Sequence, residues 1–400
     1  LGSRKSSPEP NLLDGQADIE QLCETCREEK RFAFDTEFVM EDRYASEVCL
    51  IQIATERGVS LIDPFRELDL APIWQLVVDP QVETIVHAGQ EDFGLAVQHT
   101  GEVPRHVFDV QIAAGLVGLD YPISLQRLVQ ALLHLRLHKS KTLTDWRRRP
   151  LSPSQIVYAA EDVVHLHAIR KSLRKRLSEL ERLDWAREEI KRLEDMGIYQ
   201  RADEDKIGRV KGAGALSGQQ LVTVRELMAW RERFAQRVNR PVRIVLKDHL
   251  MVEIAKHGMK EFAEIRSLRG INMSDRDVHG LCRTVAKAHA IPEVEWPKST
   301  ARVHETPEES TLAALATAVI RGYCLENHLA FGLATTQRAI KELIRCHAGQ
   351  GNRKDIDILK GWRGRTIGAL IDEILSGARS VYVAQGSGIP VLRTKRRRTS

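Results

Sequence analysis

The chain has 400 residues, 42% hydrophobic and 29% charged, with a formal net charge of +5. Its length suits two or three domains of about 100–200 residues each, and its composition suits a soluble protein with globular cores. Six cysteines are too few for a disulfide framework, and no stretch approaches the roughly 18 apolar residues of a membrane span, so a reduced, cytoplasmic setting is expected.

The first residues, LGSRKSSPEPN, lack the apolar core of a secretion signal and read as part of a disordered leader over 1–14. An amphipathic helix follows from Gly15 to Lys30, with Ile19, Leu22, Cys23 and Cys26 at helical spacing. The Cys23–Cys26 pair has no second pair nearby to complete a zinc site, so both read as ordinary helix positions. Three strands are expected at Phe32–Phe38, Glu47–Thr55 and Gly58–Asp63, the last two joined by a turn at Arg57–Gly58. A helix over Leu70–Val78, a strand over Glu83–Ala88 and a helix opening near Gln90 come next. A short strand, Val107–Phe108, ends at Asp109, which suits a helix cap. This order predicts an α/β domain: a mixed five-stranded sheet with helices on both faces.

After Ser124 the pattern is helical nearly throughout, with Ser152 as an N-cap and Pro153 at the first helical position of one segment. Gln200–Gly218 is polar and glycine-rich and marks a domain boundary. Its glycines at 212, 214 and 218 lack the lysine and hydroxyl of a phosphate loop. Two helical units follow, from Leu221 to about Pro292 and from about Thr311 to Gly377, and read as divergent copies of one module. Basic residues cluster at Trp146–Pro150 (WRRRP) and in the closing RTKRRRTS, which makes nucleic acid a candidate partner.

The first strand carries the chemistry. In RFAFDTEFVM, strand alternation puts Ala33, Asp35 and Glu37 on one face and Phe32, Phe34, Thr36 and Phe38 on the other. Two neighbouring carboxylates in a buried strand lose hydration and repel each other, so something must compensate. Asp92 stands in HAGQEDF at a helix opening. Asp162 stands one helical turn after Tyr158 in IVYAAEDVV, so Tyr158 and Asp162 point together. Hard divalent cations prefer such oxygen ligands, and two of them about 3.5–4 Å apart clamp the attacking and leaving oxygens of a phosphodiester.

FDTEF, HAGQEDF and KTLTDWRRRPLSPSQIVYAAEDV resemble the three exonuclease motifs of the DEDD superfamily, in its tyrosine-containing branch. With two helical units that resemble HRDC domains, the whole resembles the bacterial ribonuclease D family. The resemblance implies an RNase H-like exonuclease domain over 15–205, a linker at 206–218, an HRDC domain at 219–295, a linker at 296–310, a second HRDC-like domain at 311–380 and a basic tail at 381–400. It implies metal-dependent release of 5′-mononucleotides from RNA 3′ ends, tRNA precursors above all, with two cations, Mg²⁺ or Mn²⁺, and no small-molecule cofactor or membrane. Asp35, Glu37, Asp92 and Asp162 match the metal-binding acids. Asp35 would bridge both ions, Glu37 and Asp162 would complete the site of the attacking water, and Asp92 would hold the second ion through water. Tyr158 matches the catalytic tyrosine and would orient that water.

Thr36, Phe38 and Met40 would line the pocket for the last nucleotides, although Phe38 suits sheet packing equally well. His87 reads either as a substrate contact or as a packed strand-end histidine. Lys139, Lys141, Arg147 and Arg148 are candidate phosphate contacts or a solvated face, and Gln52 is a buried polar residue in need of a partner. Two competing readings are a Werner-type DNA 3′–5′ exonuclease and a non-catalytic RNA-binding adaptor.

Overall fold

Phe32, Ala33 and Phe34 are fully buried, because their strand runs inside a sheet rather than at its edge. The computed structural model describes residues 10–39, 44, 46–137, 144–199, 207–208, 210–297, 305–350, 352–384 and 391–396. The chain divides into two units. One comprises Leu1–Glu37, Cys49–Met196 and Glu305–Ser400; the other comprises Phe38–Val48 and Gly197–His304.

The sheet contains β1 (Asn11–Leu13), β2 (Arg31–Val39), β3 (Glu47–Ala54), β4 (Val59–Ile62), β5 (Glu83–Val86) and β6 (Val107–Asp109), in the order β1-β4-β3-β2-β5-β6. β3 and β4 pair antiparallel, whereas β1 pairs with β4, β2 with β5 and β5 with β6 in parallel. The sheet is therefore mixed, and it has one strand more than expected. Asn11–Leu13, assigned from sequence to a disordered leader, pairs with Ser60, Leu61 and Ile62, and Leu13 is buried. Three residues between a proline and an acidic turn are too few to display a two-residue period.

Helices α1 (Gln16–Glu29), α2 (Ala71–Val78) and α3 (Gln90–Thr100) pack side by side. Trp74 of α2 meets Phe34 of β2 edge-on, with ring centroids 6.3 Å apart, so this layer covers the phenylalanine face of β2. The second layer includes α4 (Val110–Leu116), α5 (Leu125–Leu133), α6 (Pro153–Val164), α7 (Leu166–Glu179) and α8 (Leu183–Ile190). α6 brings Asp162 to the opposite face of β2, that of Asp35 and Glu37. Cys23 and Cys26 are buried on α1 as free thiols, and burial raises the pKa of both. Among the described residues no helix is long and apolar enough to cross a membrane.

The C-terminal helices Pro307–Glu326, Phe331–Ala334 and Gln337–His347 belong to the same unit as the sheet. Buried Arg182 donates to the carbonyls of Leu116, Asn327 and His328. Trp185 stacks on buried Trp362 at 4.7 Å. Glu189 accepts from the Trp362 indole at 2.9 Å and from the Arg363 guanidinium. The described part of the stretch expected as a basic tail at 381–400 lies in strands: Arg379–Ala384 pairs antiparallel with Val391–Arg396.

In the other unit, helices Gly218–Val238, Asp248–His257, Phe262–Ser267 and Asp275–His289 enclose a core that includes Leu227, Met251, Ile254, Ile265 and Leu281. The expected linker at 206–218 is partly core as well. Ile207, Val210, Ala213 and Leu216 pack against Leu221, Val224 and Ala255. The glycines hid this pattern. Gly212, at a φ of 100°, starts a tight turn and holds no phosphate loop.

Candidate active site

Asp35 and Glu37 lie two residues apart on one face of β2, and α6 delivers Asp162 to them. Carboxylate oxygens from the three residues all lie within 4.8 Å of one another. α6 starts where the sequence stops it from starting elsewhere. Ser152 accepts from the Gln155 backbone N–H, the Gln155 side chain accepts from Ser152 N–H, and Pro153 fixes the first turn. The entry is tied down by Arg149. Its guanidinium pairs with both oxygens of Asp63 at 2.6 and 2.7 Å and donates to the Cys49 carbonyl at 2.7 Å. Burial alone would raise the Asp63 pKa, but the hydrogen bond from Arg149 and that from Phe65 N–H pull it below the usual carboxylate range. One turn before Asp162, the Tyr158 hydroxyl donates to its carboxylate, and the Tyr158 ring packs 6.0 Å from that of buried Trp146.

Asp92 arrives from the other layer. It sits in the first turn of α3, where the N-terminal dipole favours an acid, and it is buried. Gly89 caps that helix because nothing larger fits: a β-carbon there would lie 2.7 Å from the β-carbon of Val86. Thr36, on the face of β2 opposite Asp35, donates its hydroxyl to Asp92 Oδ1.

The acids burden one another. Burial and then the charges of Asp92, Asp162 and Glu37 raise the Asp35 pKa well above the usual range. Burial, with Asp162 and Asp92, pushes Glu37 up to about 8. Burial raises Asp162 to about 7 against the hydrogen bond from Tyr158, and raises Asp92 to about 6 against that from Thr36. Burial and the surrounding carboxylates raise Tyr158 above an ordinary phenol, so at neutral pH its hydroxyl stays protonated. Hard oxygen donors gathered in this way suit a divalent cation, whose charge would offset the burial and repulsion that oppose their ionisation.

The other residues singled out by sequence are placed as follows. Thr36 is bonded to Asp92, and Phe38 is partly exposed directly after Glu37. His87 places Nε2 2.8 Å from the Ile123 carbonyl. Met40, Lys139 and Lys141 lie outside the described residues. Arg148 is exposed, Arg147 is partly buried, and Asp109 caps α4 by accepting from Gln111 and Ile112 N–H. Gln52 is fully buried, and its amide finds no hydrogen-bond partner among the described residues. Sequence reading missed the clamp of Arg149 on Asp63, because both residues look like ordinary solvated charges until the chain entering α6 meets the end of β4. A cavity of about 630 Å³ elsewhere in this unit is lined by Arg31, Arg57 and Arg170, but these are paired with Glu56, Glu28 and Glu83 respectively.

Two family models match the chain: 3′–5′ exonuclease over residues 10–178 and HRDC domain over residues 220–281. The chain is 32% identical to ribonuclease D of Acidiphilium cryptum over 392 residues, covering 97% of this chain and 98% of the relative. It is 31% identical to ribonuclease D of Gluconacetobacter diazotrophicus over 379 residues, covering 94% of each. Among solved structures, that of Escherichia coli RNase D, described as an exoribonuclease involved in structured RNA processing, matches with a TM-score of 0.78 and 26% identity. The match covers 92% of this chain and 98% of that one.

Proposed function

The chain belongs to the ribonuclease D family, and on that premise we propose that Asp35, Glu37, Asp92 and Asp162 hold two divalent cations for RNA hydrolysis. The enzyme is a 3′–5′ exoribonuclease, a hydrolase of phosphodiester bonds. The observation that carries the metal reading is the convergence of Asp35, Glu37 and Asp162 oxygens within 4.8 Å, in a place where burial and mutual repulsion oppose ionisation.

When bound, Mg²⁺ or Mn²⁺ would lower the pKa of a coordinated water and offset charge that builds on the phosphoryl oxygens. The chain's own residues do the rest. Asp35, whose carboxylate lies beside those of both Glu37 and Asp162, would be a ligand to both cations. Glu37 and Asp162 would complete the ligands of the cation that holds the attacking water. Tyr158, hydrogen-bonded to Asp162, orients that water by a hydrogen bond and is not its base, because its own proton is held too tightly. Asp92, which accepts a hydrogen bond from Thr36, would hold the second cation through water. Phe38, directly after Glu37, would pack against the terminal bases, and Met40, Lys139 and Lys141 are the candidate RNA contacts that the resemblance suggests.

The substrate is structured RNA, with tRNA precursors foremost. The full-length likeness to an RNase D involved in structured RNA processing and the HRDC match support this. The test is incubation of the whole chain with 3′-labelled tRNA precursor or with single-stranded DNA, each with and without Mg²⁺. Mg²⁺-dependent release of 5′-mononucleotides from the RNA is expected. Release without any divalent cation, or from DNA alone, would contradict the reading.

A further inference from the structure

The turn that presents Asp92 is held from outside the acid cluster. β5 ends at Val86, and His87, Ala88 and Gly89 lead into α3. Ala88 has a φ of 60°, in the left-handed region that a residue with a β-carbon seldom adopts, so its surroundings must maintain it. Two contacts do so. Ala88 N–H donates to Asp109 Oδ1 at 3.3 Å, and His87 Nε2 sits 2.8 Å from the Ile123 carbonyl. A carbonyl only accepts, so Nε2 carries the proton and the ring is fixed in that tautomer. The same carbonyl accepts from Gln111 Nε2 at 3.0 Å.

Ile123 ends a segment, residues 117–123, that the C-terminal helices grip. Ala330 N–H donates to the Gly115 carbonyl at 2.8 Å, at the end of α4 just before this segment. Gly118 backs onto His328, whose carbonyl carbon would lie 2.9 Å from a β-carbon at position 118, and Gly332 faces the Tyr121 carbonyl with no room for a side chain. Arg182 ties the two sides together, donating to Leu116 and His328 carbonyls at 2.7 Å each. A continuous run of contacts therefore leads from helix Phe331–Ala334 through residues 117–123 and His87 to the turn before Asp92.

We propose that His87 is a positioning residue through which the seating of the C-terminal helices sets the placement of Asp92, and with it the affinity of that side of the site for its cation. The inference rests on the metal reading of the acid cluster. It gives the C-terminal helices a role in catalysis that needs no contact with RNA, and it assigns His87 to the protein's own framework rather than to substrate.

The test is calorimetric titration of Mn²⁺ into the full-length, metal-stripped chain, paired with kcat and KM on a short 3′-labelled RNA and with a melting curve for every variant. His87→Ala should weaken Mn²⁺ binding about tenfold, as removal of a residue that orients a ligand typically does, and lower kcat with KM little changed. His87→Gln, whose Nε2 reaches a similar position, should restore most of both. Ala330→Pro, which removes the N–H given to Gly115, should weaken Mn²⁺ binding in the same direction although residue 330 lies outside the acid cluster. The inference is overturned if His87→Ala raises KM while Mn²⁺ binding holds, or if His87→Gln is as impaired as His87→Ala at an unchanged melting temperature. If His87→Ala does not fold, wild-type Mn²⁺ binding by Ala330→Pro overturns it. A wild-type chain that takes up no Mn²⁺ would strike at the metal reading itself and is distinguished by that.

Discussion

Asp35 and Glu37 are costly residues for a strand whose preceding neighbours, Phe32, Ala33 and Phe34, are fully buried. That mismatch is why they were legible in the sequence: an acid inside an apolar run contradicts its surroundings, and Tyr158 with Asp162 declared a shared helix face by spacing alone. The bond from Thr36 to Asp92 was not legible. Strand parity puts Thr36 on the opposite face from Asp35, and nothing local says that α3 would bring an acid to that face. Asp35→Asn should reduce kcat by about a thousandfold or more, since the proposed cation site would lose its central ligand. Tyr158→Phe should reduce kcat by about ten- to a hundredfold and leave Mn²⁺ affinity intact, because the proposed role of the phenol is to orient water and not to bind metal. Paired turnover and titration measurements check both. A pH dependence follows from the raised acids. Below the ordinary carboxylate range both folded and unfolded chains are protonated, and the cluster costs nothing. As pH rises toward the folded values of about 7 for Asp162 and about 8 for Glu37, the unfolded chain ionises first and stability is lost. In metal-free protein, Asp162→Asn should therefore melt progressively higher than wild type between pH 5 and pH 8, and saturating Mn²⁺ should reverse that order. Parallel melting curves across that range would refute the assignment.

The elements that position the acids were read from sequence where a period or a cap was long enough to show. Ser152 and Pro153 announced α6, and the apolar run from Val48 to Ile53 announced β3. Asn11–Leu13 was too short to announce anything, and Ile207, Val210, Ala213 and Leu216 were masked by the glycines and charges between them. Arg149 was invisible for another reason: its partner Asp63 lies 86 residues earlier in the chain. Removing that guanidinium leaves Asp63 buried without its counter-charge, a loss of about 3 kcal/mol for such pairs. Arg149→Met should lower the melting temperature clearly, and Arg148→Ala, one residue away and exposed, should not. Equal effects in the two variants would show that the clamp does not hold the entry to α6.

At the scale of the molecule, the chain order of an exonuclease region followed by helical modules was visible in the sequence, but the allegiance of the last module was not. Read as a second copy of the preceding helical unit, it belongs structurally with the sheet, bound by Arg182, the Trp185–Trp362 stack and the Glu189–Arg363 pair. These residues lie scattered among helices of ordinary composition, and only their tertiary meeting reveals the joint. Glu189→Gln leaves the Arg363 guanidinium, 13% exposed, short of its counter-ion and should destabilise the protein by about 3 kcal/mol, measurable by denaturant unfolding. The account as a whole turns on acids from β2, α3 and α6 meeting around cations. Anomalous diffraction from a crystal of the whole chain soaked in Mn²⁺ addresses that directly. The account predicts manganese peaks bounded by Asp35, Glu37 and Asp162, with Asp92 beside them. A well-ordered site that shows these four carboxylates and no manganese would contradict it.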